Sequence, residues 1–281
     1  MDNQIKTSPF AYRSNQTLKN RGSGTGASLK RITILWQKNL INETHIPVLS
    51  ILHALTYATS HMVEECYALA KTTEVPITAG KLPVKKLLDN LSSFGLVEVY
   101  STYDGDSYTG AKIYTLSKGA RDWIQQILPM NPYFQGLSCS EKRRVWTYAD
   151  ILSLLAANQF LIRMKSNGQH EGHRYVENPI FDAYEKANYM IYIPVRRNMM
   201  IPDIIKINDQ LRNKDKNRSY MYILGCEDSE HALFLHQKIK QDRHLFYITD
   251  QMVFYSDNPL ENLTKYCYPD SNESVLAAIK L

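Results

Sequence analysis

Apolar side chains between residues 84 and 94 recur at the spacing of an α-helix. Counted from the first of them, the next three fall three, four and seven positions later, so all four share one helix face. They are Val84, Leu87, Leu88 and Leu91. Phe94 extends this stripe, and Gly95 follows where helices commonly end in a left-handed residue. The pattern predicts a helix that buries its leucines and ends at Gly95.

The period changes from helical to two directly after Gly95. Residues 96–103 (LVEVYSTY) alternate apolar and polar side chains, which is typical of a half-buried strand. Residues 104–110 (DGDSYTG) have the glycines and aspartates of a hairpin loop. Residues 111–116 (AKIYTL) alternate again, and Ser117 can begin another helix. The sequence therefore predicts a helix followed by a two-stranded hairpin.

Two further helices are predicted upstream, over residues 45–58 and 61–71, each with an apolar stripe. Thr59 and Ser60 separate the two helices and offer an N-cap for the second. A last helix after the hairpin would bury Trp123. The motif LLDNLSSFGLVEVY…KIYTLSKGA within this order resembles winged helix-turn-helix DNA-binding domains, and the resemblance covers residues 42–128.

The resemblance implies that the helix near residues 83–94 is a recognition helix and that the hairpin is a wing. With the leucines inward, the predicted solvent side carries Lys81, Lys85, Lys86, Asp89, Asn90 and Ser93. Lysines suit phosphate contacts, and Asn90 could contact a base edge. Tyr108 and Lys112 are the expected wing contacts, although Asp104 and Asp106 would repel phosphate. An ordinary solvated helix face is the alternative interpretation.

The second half of the chain contains short apolar runs that alternate with helical patterns. Residues 189–195 (YMIYIPV) and 220–226 (YMYILGC) are typical of buried strands. Residues 145–164 favour a helix that leads into a strand. This layout indicates a mixed α/β domain with a central sheet. We predict a boundary at residues 131–144, which separates a domain at 32–130 from one at 145–281.

This layout behind a winged helix resembles the replication-relaxation family of plasmid and conjugative-element proteins, whose second domain resembles a degenerate restriction-endonuclease-like fold. Five segments carry the resemblance in order: IFDAY (180–184), YMIYIPV (189–195), IIKINDQL (204–211), SYMYILG (219–225) and LFYITD (245–250). The resemblance implies a role in replication, relaxation or conjugative transfer. It also implies a relaxase or another component of the transfer machinery as a partner.

An active nuclease of that fold needs an aspartate, then an acidic residue and a lysine on the next strand to hold a divalent ion. Asp182 could be the first ligand, but the run at 189–195 contains no carboxylate and no lysine. Glu185 and Lys186 lie in the intervening turn. We therefore expect no catalytic residue, no metal and no cofactor. A metal-dependent endonuclease or nicking enzyme is the alternative.

Cysteine and histidine spacing adds no site to this picture. The cysteines Cys66, Cys139, Cys226 and Cys267 are far apart, which favours free buried thiols over a zinc site or a disulfide framework. His170 and His173 lie in a polar stretch, where an exposed turn is the expected structure. His231 and His236 are five residues apart on a predicted helix and do not share a face.

The net charge of +5 is concentrated at the N-terminus. Residues 1–31 carry six basic side chains and one acidic side chain, which accounts for the whole excess. We predict a flexible basic arm over residues 1–31, which includes a glycine-containing linker at residues 21–31 (RGSGTGASLKR). Its basic residues, among them Arg13, Lys19 and Arg21, would attract phosphates. The alternative is a solvated tail with no ligand.

The 281 residues suffice for two domains, and no apolar run approaches the roughly 20 residues that cross a bilayer. The first residues lack the apolar core of a secretory signal, so a cytoplasmic location without membrane contact is expected. The overall prediction is a non-enzymatic protein that binds double-stranded DNA. We expect it to be encoded by a plasmid or another mobile element and to form a homodimer. A transcription regulator with a ligand- or partner-sensing second domain is the other alternative.

Overall fold

The computed structural model describes residues 8–22, 26–72, 83–127, 147–166, 173–177, 182–186, 190–200, 202–203, 221–239, 245–267 and 275–278. The chain divides into two compact units. One unit comprises Asn15–Arg143 and is called the hairpin unit below. The other combines Met1–Ser14 with Arg144–Leu281 and is called the sheet unit. The predicted linker at 131–144 lies outside the described residues.

The hairpin unit contains five helices and a four-stranded antiparallel sheet among its described residues. The helices are α1 (Leu29–Gln37), α2 (Ile46–Leu55), α3 (Ser60–Thr72), α4 (Val84–Ser93) and α5 (Lys118–Ile127). The strands are β1 (Thr17–Asn20), β2 (Tyr57–Thr59), β3 (Val97–Tyr103) and β4 (Tyr108–Leu116), in the order β1-β3-β4-β2. The predicted helix and hairpin after residue 84 are confirmed, whereas α1, β1 and β2 were not predicted.

The leucine stripe of α4 faces the core as predicted, since Val84, Leu87, Leu88 and Leu91 are all buried. The helix ends in a Schellman motif, in which the N–H of Gly95 donates to the Ser92 carbonyl and that of Leu96 to the Leu91 carbonyl. Gly95 has a φ of +78°, a conformation that glycine adopts without steric cost. The predicted left-handed residue is confirmed, and it directs the chain into β3.

The prediction of a flexible arm over residues 1–31 is wrong for the described part of that segment. Residues 17–20 form β1, which pairs antiparallel with β3 and places Thr17 opposite Tyr103. Its pairing requires a partner strand about 80 residues away, which local composition does not reveal. The predicted glycine linker also includes packed structure, because a Cβ on Gly119 would lie 2.1 Å from the Ala27 carbonyl oxygen.

The part of the sheet unit that the structure describes contains a seven-stranded sheet, in the order β11-β10-β9-β8-β7-β6-β5. The strands are β5 (His173–Glu177), β6 (Asp182–Lys186), β7 (Met190–Pro194), β8 (Met221–Cys226), β9 (Leu245–Thr249), β10 (Thr264–Cys267) and β11 (Val275–Ala278). The three central strands, β7 to β9, are parallel, and the pairs outside them are antiparallel. The predicted mixed α and β composition is confirmed.

Among the described residues, the elements that accompany this sheet include α6 (Tyr148–Ser166), α7 (Ser229–Lys238), α8 (Asp250–Tyr255) and the 3-10 turn Pro259–Asn262. The predicted change from helix to strand before residue 164 is wrong, because α6 continues through it. Phe160 of α6 stacks on Tyr192 of β7 with the ring centroids 4.1 Å apart. None of the described helices has the length and apolarity that crossing a bilayer requires.

Candidate functional site

The outer face of α4 carries charged side chains in water. Lys85, Lys86 and Asp89 are exposed, and Asn90 is half-buried. Ser93 is exposed too, but its hydroxyl donates to the Asn90 carbonyl at 2.7 Å and so closes the helix end. The predicted outward residues of α4 are therefore confirmed except for Asn90, which is only partly accessible. Lys81 lies outside the described residues.

A second group of cations lies along the edge strand β1. The ammonium of Lys19 is 3.4 Å from the centroid of the Tyr103 ring, and the Arg21 guanidinium is 4.7 Å from that of Tyr108. The two rings meet edge to face, with their centroids 5.4 Å apart. Cation–π contacts of this kind hold a charge in place and leave it accessible. We call Lys19, Arg21, Tyr103 and Tyr108 the basic–aromatic strip.

The charges of α4 and of the strip act on one buried phenol. Tyr114 of β4 lies opposite Val99 in the register and is almost fully buried. Burial raises the pKa of Tyr114, the Asp89 carboxylate raises it further, and the Arg21 guanidinium lowers it. Asp89 of α4 and Arg21 after β1 thus act with opposite sign on the same buried side chain of the hairpin unit.

The opposite face of the same sheet has a different chemistry. Side chains alternate along β3, so Glu98 and Tyr100 point away from the Val99 face. The Tyr100 hydroxyl donates to Glu98 at 2.9 Å. Burial, followed by this hydrogen bond to the carboxylate, raises the pKa of Tyr100 well above its usual value. A carboxylate and a phenol joined by a hydrogen bond thus occupy one face, and the accessible cations lie on the other.

The hairpin loop is shaped by an acidic side chain. The Asp104 carboxylate accepts hydrogen bonds from the backbone N–H groups of Asp106 and Ser107, at 3.1 and 2.9 Å. These bonds lower the pKa of Asp104, so the loop remains negatively charged at neutral pH. Lys112 is exposed on β4, away from this turn. The strip is therefore a better place for phosphate than the tip of the hairpin.

The structure brings together some of the predicted contact residues and separates others. Lys85, Lys86 and Tyr108 lie in the hairpin unit as expected. Lys19 and Arg21, predicted in a flexible arm, belong to that unit as well, on or directly after β1. Arg13 instead belongs to the sheet unit. The alternation of TLKN over residues 17–20 is the sequence signal for β1, but four residues are too few to identify a strand.

The sheet unit contains a cluster of buried charges that sequence reasoning missed. Arg196 follows β7, Glu227 follows β8 and Asp250 follows β9, so the parallel strands bring all three to one edge of the sheet. The Arg196 guanidinium donates to both oxygens of Asp250, at 2.5 and 3.0 Å. Both residues are 1% exposed. Burial opposes the charge of Arg196, but Asp250 outweighs it and raises the pKa of Arg196.

Residues 8–12 pack against this edge, and we call them the N-terminal strap. The Ser8 hydroxyl donates to Asp250 at 2.5 Å, and the backbone N–H of Tyr12 donates to Glu227 at 3.1 Å. Phe10 is buried and meets the Phe254 ring edge to face. The strap therefore supplies polar partners for two buried carboxylates and an apolar anchor beside them.

His231 completes the edge as a neutral side chain. Its Nδ1 accepts a hydrogen bond from the backbone N–H of Glu227 at 3.3 Å. Burial, followed by the charges of Arg196 and Arg197, lowers the pKa of His231 to about 4. Burial raises the pKa of Glu227, although hydrogen bonds from the backbone of Arg197 and Tyr12 oppose this. The carboxylates of the cluster are partnered by its own residues, whereas the Nε of Arg196 is buried with no hydrogen-bond partner among the described residues. The paired charges suit an architectural role.

The residues considered for metal and thiol chemistry are placed as follows. No group of three His, Cys, Asp or Glu side chains that could hold a metal occurs within the described ranges. Asp182 begins β6. Cys66 and Cys226 are free and buried, which confirms the prediction for these two. Cys139 and His170 lie outside the described residues.

No family model, curated protein or solved structure matches this chain.

Proposed function

We propose that the protein binds double-stranded DNA through the hairpin unit and does not catalyse a reaction on it. In this proposal α4 enters the major groove as a recognition helix, and the β3–β4 hairpin is a wing. The supporting observation is that the hairpin unit carries accessible cations both on the outer face of α4 and along the basic–aromatic strip. The order of α2, β2, α3, α4 and the hairpin is also that expected of a winged helix.

The surface has the chemistry that a phosphate backbone requires. Lys85 and Lys86 stand at the start of α4, and no ion pair joins either of them to a described residue. Lys19 and Arg21 lie on tyrosine rings, so part of their side-chain freedom is already lost before DNA arrives. Each phosphate that a cation neutralises releases counterions, and affinity then falls with salt at a slope of about 0.9 per contact.

The sheet unit has a different place in the proposal. Its cluster of buried charges is internally paired, so we assign it an architectural role and propose that the unit mediates dimerisation or docks a protein partner. The resemblance to replication-relaxation proteins suggests a mobile element as the genetic context and a relaxase as that partner. A pull-down of purified relaxase by the full-length protein, compared with a variant whose α7 surface is altered at Phe234, would test this part.

The main experiment measures duplex affinity of the full-length protein over a range of salt concentrations. Two double variants are compared with wild type: Lys85→Ala with Lys86→Ala, and Lys19→Ala with Arg21→Ala. Each pair should lower affinity and reduce the salt slope by about 2, because each lost phosphate contact removes about 1.

The matched control is Lys38→Ala with Lys118→Ala, which removes the same charge from exposed positions of the same unit. Lys38 follows α1 and Lys118 begins α5, and these two helices pack on each other. The control should keep the wild-type slope. An equal loss of salt slope in all three variants would mean that only the net charge of the protein matters and that these positions are not contacts. No loss of slope in any variant would refute the proposed function.

A further inference from the structure

We propose that Asp89 reads the DNA sequence by accepting a hydrogen bond from a cytosine amino group in the major groove. The inference rests on the proposed function and assigns base specificity within that same surface. From the sequence, Asn90 is expected to contact a base edge, but Asn90 is half-buried. We assign the base contact to its exposed neighbour, Asp89.

Asp89 is an acid in the middle of a basic face. It follows Lys85 and Lys86 by four and three residues and precedes Ser93 by four, so these side chains neighbour one another along α4. Asp89 is exposed, and no hydrogen bond or ion pair joins it to any residue in the described part of the chain. Its carboxylate therefore needs no local partner and is open to a ligand.

Under the proposed function, Asp89 lies on the face of α4 that meets DNA, because it is exposed one helical turn after Lys85 and Lys86. A carboxylate at this place would be repelled by a phosphate, so a backbone contact is excluded on charge. The groups that could satisfy it in the major groove are base donors, and acidic side chains pair there with the N4 amino group of cytosine.

The neighbours of Asp89 explain how such a contact could be directional. Lys85 and Lys86 would bind phosphates one turn earlier and fix the register of α4 on the duplex. Ser93, one turn later, uses its hydroxyl proton on the Asn90 carbonyl and is less suited to donate to a base. The base opposite Asp89 would then decide whether the carboxylate gains a donor or faces an acceptor. We expect a wrong base at that position to lower affinity about tenfold.

The test is selection of bound duplexes from a randomised library by wild-type protein, Asp89→Asn and Asp89→Ala. Wild type should prefer cytosine at one position. Asp89→Asn should change that preference to adenine, because an amide pairs with N6 and N7 of adenine. Asp89→Ala should lose the preference at that position alone. It should also bind unrelated duplexes more tightly with an unchanged salt slope, since it removes a repulsive charge and no phosphate contact.

Asp122→Ala is the matched control, because it removes the same charge from an exposed position on α5, outside the proposed contact surface, and should leave every base preference unchanged. All variants alter exposed side chains, and equal melting temperatures would confirm that they fold. Identical base preferences in the three Asp89 proteins would overturn the inference. If Lys85→Ala with Lys86→Ala still reduced the salt slope in that case, DNA binding would stand and only the role of Asp89 would fail. Absence of duplex affinity in wild type would overturn both.

Discussion

The two units use charge in opposite ways. In the hairpin unit, Lys85 and Lys86 are exposed and form no ion pair with described residues. In the sheet unit, Arg196 and Asp250 are buried and form an ion pair with each other. An exposed unpaired charge contributes little to folding and is available to a ligand, whereas a buried pair belongs to the architecture and fails badly when one partner is removed. Under the proposed function, exposure and pairing together distinguish the residues that would contact DNA from those that support the fold.

The largest effect should come from breaking the buried pair. Asp250→Ala leaves the Arg196 guanidinium buried without its carboxylate and also removes the acceptor of Ser8. We expect the free energy of unfolding of the sheet unit to fall by about 3–5 kcal/mol. Hydrogen exchange of β8 and α4 peptides, measured in increasing urea, reports on the two units separately.

The control for this change is Asp228→Ala, since Asp228 is half-exposed and pairs with the exposed Arg197. Its loss removes this surface pair and also the N-cap of α7, whose carboxylate accepts a hydrogen bond from the His231 N–H at 2.8 Å, so it should cost about 1–2 kcal/mol. Replacing both buried partners, as Arg196→Met with Asp250→Leu, should restore most of the stability that Asp250→Ala loses. Similar costs for Asp228→Ala and Asp250→Ala would contradict the distinction between the two kinds of charge.

The next effect concerns the N-terminal strap. Phe10→Ala should lower the free energy of unfolding of the sheet unit by about 3 kcal/mol, because it empties a buried aromatic site. The same hydrogen-exchange experiment would detect it in β8, with α4 unaffected. Ser14→Ala alters an exposed neighbour and should be neutral. If Phe10→Ala were as mild as this control, the strap would be a loose covering and not part of the unit.

The sheet unit should also lose stability on acidification. The pKa of His231 is lowered to about 4 in the folded protein, so the unfolded chain binds a proton more readily as the pH falls from about 6.5. The contribution of neutral His231 to the free energy of unfolding is therefore present above about pH 6.5. This contribution should fall by about 2 kcal/mol by pH 5. Burial also lowers the pKa of His236, which adds to the loss of stability at low pH. The raised pKa of Glu227 reduces that loss, because the folded protein binds this proton more readily. Urea unfolding at pH 7 and pH 5 should therefore differ less in His231→Asn than in wild type.

The smallest effect on stability should come from the residues with the largest effect on DNA. Lys85→Ala with Lys86→Ala removes two exposed charges, and we expect a change within about 0.5 kcal/mol. Urea unfolding of the same preparation used for the salt titration would check this. A large loss of stability would mean that the lysines support α4, and reduced DNA binding would then no longer identify a contact.

Sequence patterns predicted best what depends on near neighbours. The stripe of α4 and the turn at Gly95 are set by residues within one or two helical turns, and both are confirmed. β1 was missed because its stability comes from pairing with β3, far along the chain. The length of α6 was misjudged because its residues 151–162 are almost all buried. A helix covered on every side has no polar face, and its periodicity disappears.

The sequence does contain a signal for the buried charge cluster of the sheet unit. The three central apolar runs each end directly before charged residues: Arg196 and Arg197, Glu227 and Asp228, and Asp250. Carboxyl ends of parallel strands meet at one edge, so such residues should be neighbours wherever the strands are parallel. That Arg196 pairs with Asp250 depends on the order and direction of the strands, which periodicity does not encode.

The N-terminal strap affects the order in which the two units can fold during synthesis on the ribosome. Ser8 binds Asp250, which is translated 242 positions later. At about 5–20 residues per second, this wait is on the order of ten to fifty seconds. The described elements of the hairpin unit are all translated by residue 127, so that unit can fold during the interval. The sheet unit can close only after β9 emerges, and Phe10 stays open to chaperones until then.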